Sequence, residues 1–93
     1  MREMIKNRSR QQIISSILEE AEGKGGAKKT AIMYGAYLSV SQLNGYLDLL
    51  KENGMLEYTT ETRCYHTTEK GANFRKVYDE VAQVLRPKEG RFR

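Results

Sequence analysis

Residues 27–54, AKKTAIMYGAYLSVSQLNGYLDLLKENG, decide the fold. Residues 27–36 are rich in helix-favouring side chains, and the segment Tyr37-Leu38-Ser39 interrupts that pattern. Ser39 followed three residues later by Gln42 is a capping box, which predicts that a second helix begins here. Two helices joined by a short turn form a helix-turn-helix unit.

The second helix of this unit is predicted over residues 40–53. Its apolar face consists of Leu43, Tyr46, Leu47 and Leu50. Gly54 suits the left-handed conformation that commonly follows a helix. The opposite, polar face presents Ser41, Gln42, Asn44, Gly45 and Asp48.

The segments on either side complete a small fold. A helix is predicted over about residues 9–22, because a capping box of Ser9 and Gln12 precedes one apolar stripe. That stripe consists of Ile13, Ile14, Ile17, Leu18 and Ala21. After Gly54 the period changes to alternation, and residues 55–67 predict a β-hairpin with a polar tip at residues 60–62.

A last helix is predicted over residues 69–86, ended by Pro87. Its apolar positions follow a heptad-like seam of Gly71, Phe74, Tyr78, Val81 and Leu85. The predicted fold is therefore α+β: a winged helix-turn-helix of three helices and a two-stranded hairpin wing, with an additional C-terminal helix. We interpret residues 1–93 as a single domain, with a core at 9–68, a dimerisation helix at 69–86 and a basic tail at 87–93.

Composition excludes several classes of protein. The chain has 93 residues, and its longest apolar runs are far shorter than the roughly 20 residues of a membrane span. One cysteine, Cys64, excludes an internal disulfide framework, and one histidine, His66, argues against a structural zinc site. No nucleophile–base grouping and no strand-linked glycine loop is present. We therefore expect neither an enzyme nor a cofactor.

The positive charge is concentrated towards the two ends of the chain. The net charge is +4, from 16 Lys and Arg against 12 Asp and Glu. Residues 1–30 contribute +3 and residues 86–93 contribute +3, whereas residues 31–85 contribute −2. Basic arms commonly contact phosphate backbones. This pattern favours an anionic partner that is contacted by the two basic ends of the chain rather than by residues 31–85.

The segment Lys29-Thr30-Ala31-Ile32-Met33-Tyr34-Gly35-Ala36-Tyr37-Leu38-Ser39 resembles the signature KTxIMYxAxLS of archaeal winged-helix DNA-binding proteins of the 10a type. Further elements of that pattern are Tyr46-Leu47, Leu50, Gly54-Met55-Leu56, and Tyr65, Thr68 and Lys70-Gly71 around the wing. The resemblance extends from about Ile13 to Tyr78. It implies a small transcriptional regulator or chromatin protein that binds double-stranded DNA.

The resemblance also implies a cytoplasmic, nucleoid-associated homodimer whose last helix pairs with its partner. In that family the last helix can be a long coiled coil, whereas Pro87 limits this one to about 17 residues. Regulators of archaeal viruses share the layout and are an alternative assignment. A second hypothesis for function is a winged helix that serves protein–protein assembly, since fold alone does not determine function.

The candidate DNA-contacting residues fall into four groups. In the helix-turn-helix they are Ser39, Ser41, Gln42, Asn44 and Gly45; before its first helix, Lys28 and Lys29; at the wing tip, Thr62 and Arg63; and at the first helix, Arg8 and Arg10. Gln and Asn can pair with adenine, and the cations can bind phosphate. The candidate dimer interface is Phe74, Tyr78, Val81 and Leu85. We expect the six tyrosines mainly to pack in the core, with Tyr37 in the turn as the exposed exception.

Overall fold

The computed structural model describes residues 8–84. The elements in chain order are α1 (Arg10–Ala21), β1 (Ala27–Lys28), α2 (Lys29–Gly35), α3 (Val40–Glu52), β2 (Leu56–Thr59), β3 (Cys64–Thr67) and α4 (Glu69–Val84). This order confirms the predicted α+β class and the helix-turn-helix followed by a hairpin wing. The predicted basic tail, residues 87–93, lies outside the described residues.

The prediction that the first helix of the helix-turn-helix unit covers residues 27–36 is wrong at its start. Ala27 and Lys28 form a short strand that pairs antiparallel with β3, with Ala27 opposite Tyr65 and Lys28 opposite Cys64. The sheet therefore has three strands in the order β1-β3-β2, rather than the two of a simple hairpin. Tertiary pairing overrides the helix preference of an Ala-Lys sequence here. Gly26 permits this close approach, since a Cβ on it would lie 2.8 Å from the His66 ring.

Both predicted capping boxes are present. In α1, the backbone N–H of Gln12 donates to Ser9 Oγ, and the backbone N–H of Ser9 donates to Gln12 Oε1. Ser39 and Gln42 make the equivalent pair of bonds at the start of α3. Each box satisfies donors that the first turn of a helix leaves without partners. These local signals explain why both helix starts were predictable to within one residue.

The end of α3 also follows its sequence signal. Gly54 has φ of 73°, its N–H donates to the Lys51 carbonyl, and the Met55 N–H donates to the Leu50 carbonyl. These two bonds form a Schellman motif, in which the left-handed position favours glycine. The motif turns the chain directly into β2.

The core lies between α1, the helix-turn-helix and the sheet. Its buried apolar residues are Ile17, Leu18, Ala21, Ile32, Ala36, Leu38, Leu43, Leu47, Leu50 and Leu56. The predicted stripe of α1 and the predicted apolar face of α3 supply most of this set. A core of this size is small, so close packing of each buried side chain matters.

Helix α4 packs against α1 through its first half. Gly71 is buried, and a Cβ on it would lie 2.5 Å from the Met55 carbonyl oxygen and 2.8 Å from Thr67 Cγ2. The Thr67 hydroxyl donates to the Leu18 carbonyl at 2.7 Å. Arg75 pairs with Glu22 at the end of α1. These contacts fix the direction in which α4 leaves the domain.

Candidate nucleic-acid interface

The solvent-facing side of α3 is neutral and polar over its first turns. Ser41, Asn44 and Gly45 are exposed, as predicted, and Asp48 adds a negative charge one turn later. The first cation on this helix is Lys51, near its C-terminal end. A surface of this kind can form hydrogen bonds to base edges, but it does not attract phosphate.

Gln42 differs from the other polar residues of this face. Its carboxamide oxygen accepts hydrogen bonds from both the N–H and the hydroxyl of Ser39, at 3.0 and 3.1 Å. An amide oxygen has two lone pairs, so both are in use. Bidentate pairing of Gln42 with adenine would therefore require the capping box to open. Asn44 has no such bond among residues 8–84 and is the carboxamide that α3 offers to a ligand.

Gly45 leaves the backbone of α3 open to solvent. A Cβ at this position would meet no atom within 4 Å. Beside it lies a shallow, largely apolar groove of about 360 Å³, lined by Arg10, Gln42, Gly45, Tyr46 and Leu49. Arg10 therefore lies next to α3, although it precedes that helix by some thirty residues in the chain.

The turn between α2 and α3 contains an unusual backbone conformation. Tyr37 has φ of 57°, a left-handed value that non-glycine residues rarely adopt. The Tyr37 N–H donates to the Tyr34 carbonyl, and the Leu38 N–H donates to the Met33 carbonyl. The turn is thus a second Schellman motif, with tyrosine in the position that usually holds glycine. The buried Leu38 secures it.

Three apolar side chains around this turn are exposed. Tyr34 is 70 % exposed, Tyr37 66 % and Val40 54 %. We call these three residues the turn patch. The expectation for Tyr37 is confirmed, whereas the expectation that rings such as Tyr34 pack in the core is wrong, because Ile32 alone from this short helix is fully buried. Val40, the first residue of α3, was not among the predicted candidates, because these were chosen for hydrogen bonds to bases or for charge.

Arg8 forms hydrogen bonds to the same turn. Its guanidinium donates hydrogen bonds to the carbonyl oxygens of Ala36 and Tyr37, at 2.5 and 3.4 Å. Carbonyls at the end of a helix lack intrahelical partners, and a cation there is favourable. Arg8 therefore links the start of α1 to the helix-turn-helix, a role that the sequence did not suggest.

Cations from two distant segments meet at one end of the sheet. Because Lys28 lies opposite Cys64, the Lys28-Lys29 pair comes to the end of β3 where Arg63 is located. Lys28, Lys29 and Arg63 are all exposed, and we call them the cationic sheet end. Arg63, expected near the wing tip, lies in the turn with φ of 58°, next to the exposed Thr62.

The wing also carries a pair of tyrosines on the face towards α3. The rings of Tyr58 and Tyr65 lie opposite each other in the register, with centroids 4.8 Å apart. Burial, the neighbouring Tyr58 and the carboxylate of Asp48 together raise the pKa of the Tyr65 phenol. Asp48 on α3 therefore lies close enough to the wing to contribute to this direction of shift.

The predicted seam of α4 is divided between two environments. Phe74 and Tyr78 are half-buried and their rings stack at 6.4 Å, so they belong partly to the domain itself. The exposed apolar positions are Val77, Val81 and Val84, at steps of four and three residues. Leu85, the last residue of the predicted interface, lies outside the described residues.

Residues 8–84 contain neither a membrane-spanning helix nor a cluster of metal-ligating side chains. No helix there has the length and apolar character needed to cross a membrane. No group of three or more His, Cys, Asp or Glu side chains there is placed to hold a metal ion.

Comparisons with known proteins place this geometry in context. A family model described as winged helix-turn-helix matches residues 7–86. The fold is similar to the crystal structure of Sso10a-2, a DNA-binding protein from Sulfolobus solfataricus, with a TM-score of 0.73 and 32 % sequence identity. That similarity covers 83 % of this chain and 81 % of the other. The comparison with curated proteins found no match.

Proposed function

Since the chain belongs to the winged helix-turn-helix family, we propose that it binds double-stranded DNA, as a non-enzymatic regulator or chromatin protein. In this proposal α3 enters the major groove, as the second helix of a helix-turn-helix does, and the wing lies on the backbone or in the minor groove. The similarity to a protein described as DNA-binding supports the proposal. A nucleoid-associated location in the cytoplasm follows from this function.

The observation that carries the proposal is the separation of two kinds of surface. The cationic sheet end, Lys28, Lys29 and Arg63, offers charge without hydrogen-bond specificity. The exposed face of α3, with Ser41 and Asn44, offers hydrogen bonds without positive charge. Phosphate contacts position a protein on DNA, and base contacts specify the sequence. The two surfaces match this division of roles.

A salt-dependent titration of a DNA duplex tests the proposal. The logarithm of the binding constant should fall linearly with the logarithm of salt concentration, by about 0.9 for each phosphate contacted. Replacing Lys28, Lys29 and Arg63 together by alanine should reduce that slope by about 0.9 for each lost contact. Lys76→Ala, on the exposed side of α4, is the matched control and should leave the slope unchanged. Absent binding would instead favour the protein–protein assembly hypothesis, for which the acidic Asp48 on α3 is the supporting observation.

We further propose that the protein is a homodimer through α4. The supporting observation is the line of exposed valines, Val77, Val81 and Val84, whose spacing is that of a coiled-coil seam. Phe74 and Tyr78 border this line. The proposed interface is therefore rotated around α4 by part of a turn from the seam that the sequence predicts. A dimer would present two copies of α3 to adjacent grooves and would double the phosphate contacts.

A further inference from the structure

We propose that the turn patch recognises the 5-methyl groups of thymine, with Val40 as the residue that makes the specific contact. This inference rests on the proposed function, since it concerns how the same helix-turn-helix would distinguish base pairs. It identifies A·T-containing sites as the preferred class of DNA. It also assigns a role to the exposed apolar side chains of the turn patch, which carry no positive charge for binding phosphate.

Val40 occupies the position where direct contact with bases is made. It is the first residue of α3, and in helix-turn-helix proteins the N-terminal residues of the second helix contact base edges. Val40 and Asn44 are one turn apart and so lie on the same face of the helix. Ser41 lies beside them. The three exposed side chains offer one methyl-bearing, one hydroxyl and one carboxamide contact.

These three groups match the chemistry of an A·T pair in the major groove. Adenine presents N7 and N6–H₂, which Asn44 can pair with in a bidentate manner. Thymine presents O4 and a 5-methyl group, and apolar side chains such as alanine and the threonine methyl contact that methyl. The first turns of α3 carry no Arg or Lys, the residues that most often recognise guanine. The face is therefore suited to A·T rather than G·C pairs.

The backbone conformation of Tyr37 is the second observation. A non-glycine residue in the left-handed region costs free energy and persists where the surrounding structure holds it there. Here the Schellman bonds and the Arg8 hydrogen bonds hold the turn, and the ring of Tyr37 remains 66 % exposed beside Val40. A glycine would fit this backbone with less strain, so the stability of the fold does not account for a tyrosine here. Contact of its ring with DNA beside the methyl site does.

The test compares two synthetic duplexes that differ only in the methyl group. One is an alternating adenine–thymine duplex, and the other has every thymine replaced by uracil. Burial of one methyl group corresponds to about a fourfold difference in affinity. We expect the wild-type protein to bind the thymine duplex more tightly by about that factor for each methyl contacted. Val40→Ser should remove most of the difference, because serine has no methyl group, while leaving affinity for the uracil duplex unchanged.

Two variants keep the result interpretable. Val40 is exposed, so Val40→Ser should fold normally, and Lys76→Ala on α4 is the control that should retain the methyl preference. Tyr37→Gly should increase stability while reducing the preference. Equal affinity of the wild type for both duplexes, or a preference that survives Val40→Ser, would overturn the inference and leave DNA binding intact. Absence of salt-dependent binding to either duplex would instead refute the proposed function.

Discussion

The carboxamide oxygen of Gln42 accepts two hydrogen bonds from Ser39, one from its backbone N–H and one from its hydroxyl. Gln42, one of the two carboxamides expected to bind adenine, is thus part of the helix cap. Asn44, two residues further along α3, makes no bond of this kind among residues 8–84. We therefore propose separable roles for the two carboxamides of α3, with Gln42 acting in folding and Asn44 in binding.

Gln42→Ala should lower stability, and Asn44→Ala should lower sequence discrimination. Loss of capping interactions costs about 0.5–2 kcal/mol, which corresponds to several degrees in Tm for a domain of this size. Asn44→Ala should leave Tm nearly unchanged but reduce the preference for A·T sites. Thermal unfolding and competitive DNA titration measure the two effects. Loss of discrimination in Gln42→Ala with unchanged Tm would contradict this division.

Two glycines should respond oppositely to alanine. At Gly71 the new Cβ would meet the Met55 carbonyl at 2.5 Å, and backbone atoms cannot yield easily, so we expect a loss of about 1–3 kcal/mol. At Gly45 nothing lies within 4 Å, so alanine should stabilise α3 by about 1 kcal/mol. Urea unfolding followed by circular dichroism gives both values. If Gly45→Ala also weakens DNA binding, close approach of the α3 backbone to DNA is supported.

Arg8→Ala should destabilise the fold more than Arg10→Ala. Hydrogen bonds from a charged group to backbone carbonyls contribute about 1.5–3 kcal/mol, and Arg8 makes such bonds to Ala36 and Tyr37. Arg10 is exposed at the edge of the groove beside α3, so its removal should leave Tm nearly constant. Differential scanning calorimetry compares the two variants. Equal effects would show that the turn does not depend on Arg8.

Val77→Asp should dissociate the proposed dimer. A carboxylate within the line of valines at the dimer interface would be desolvated without a partner, which is strongly unfavourable. Lys76→Asp introduces the same group on the adjacent exposed surface and should leave the dimer intact. Sedimentation equilibrium at micromolar concentration gives the association state of each. A monomeric wild-type protein would refute the dimer.

Stability should fall at alkaline pH through Tyr65. Because the folded state raises the pKa of this phenol, the folded chain holds the proton more tightly than the unfolded chain. The resulting contribution is fully present below the ordinary phenol pKa of about 10 and is lost as pH rises through the higher folded value. Tyr65→Phe should therefore flatten the dependence of the urea midpoint on pH in this range. Tyr34→Phe, at an exposed ring, should not.

The sequence predicted those elements whose signals are local. The capping boxes at Ser9 and Ser39, the glycine after α3 and the apolar periods of α1 and α3 all act within a few residues, and the structure confirms them. Strand β1 was missed because its partner, β3, is distant in the chain and the pairing residues carry no strand pattern of their own. The resemblance of the sequence to archaeal winged-helix proteins is confirmed by the matching family model and by the similar solved structure.

Within the candidate site, residue types were predictable but their availability was not. The sequence marked Gln42 both as a cap and as a base-binding residue, and only the geometry shows that its oxygen is already used. Similarly, Arg8 was assigned to phosphate by its charge, yet it bonds to carbonyls of a turn far along the chain. Such competition between partners depends on tertiary distances, which composition and spacing do not contain.

The pairing of β1 with β3 has a consequence for how the molecule is made. Lys28 leaves the ribosome long before Cys64, and more than a third of the chain separates the two. The hydrogen bonds of β1 can therefore form only after β3 has been synthesised. The cationic sheet end therefore cannot form until Arg63 and β3 are translated, although its two lysines are translated early. An incomplete chain that has only its helix-turn-helix would lack the surface proposed to bind phosphate.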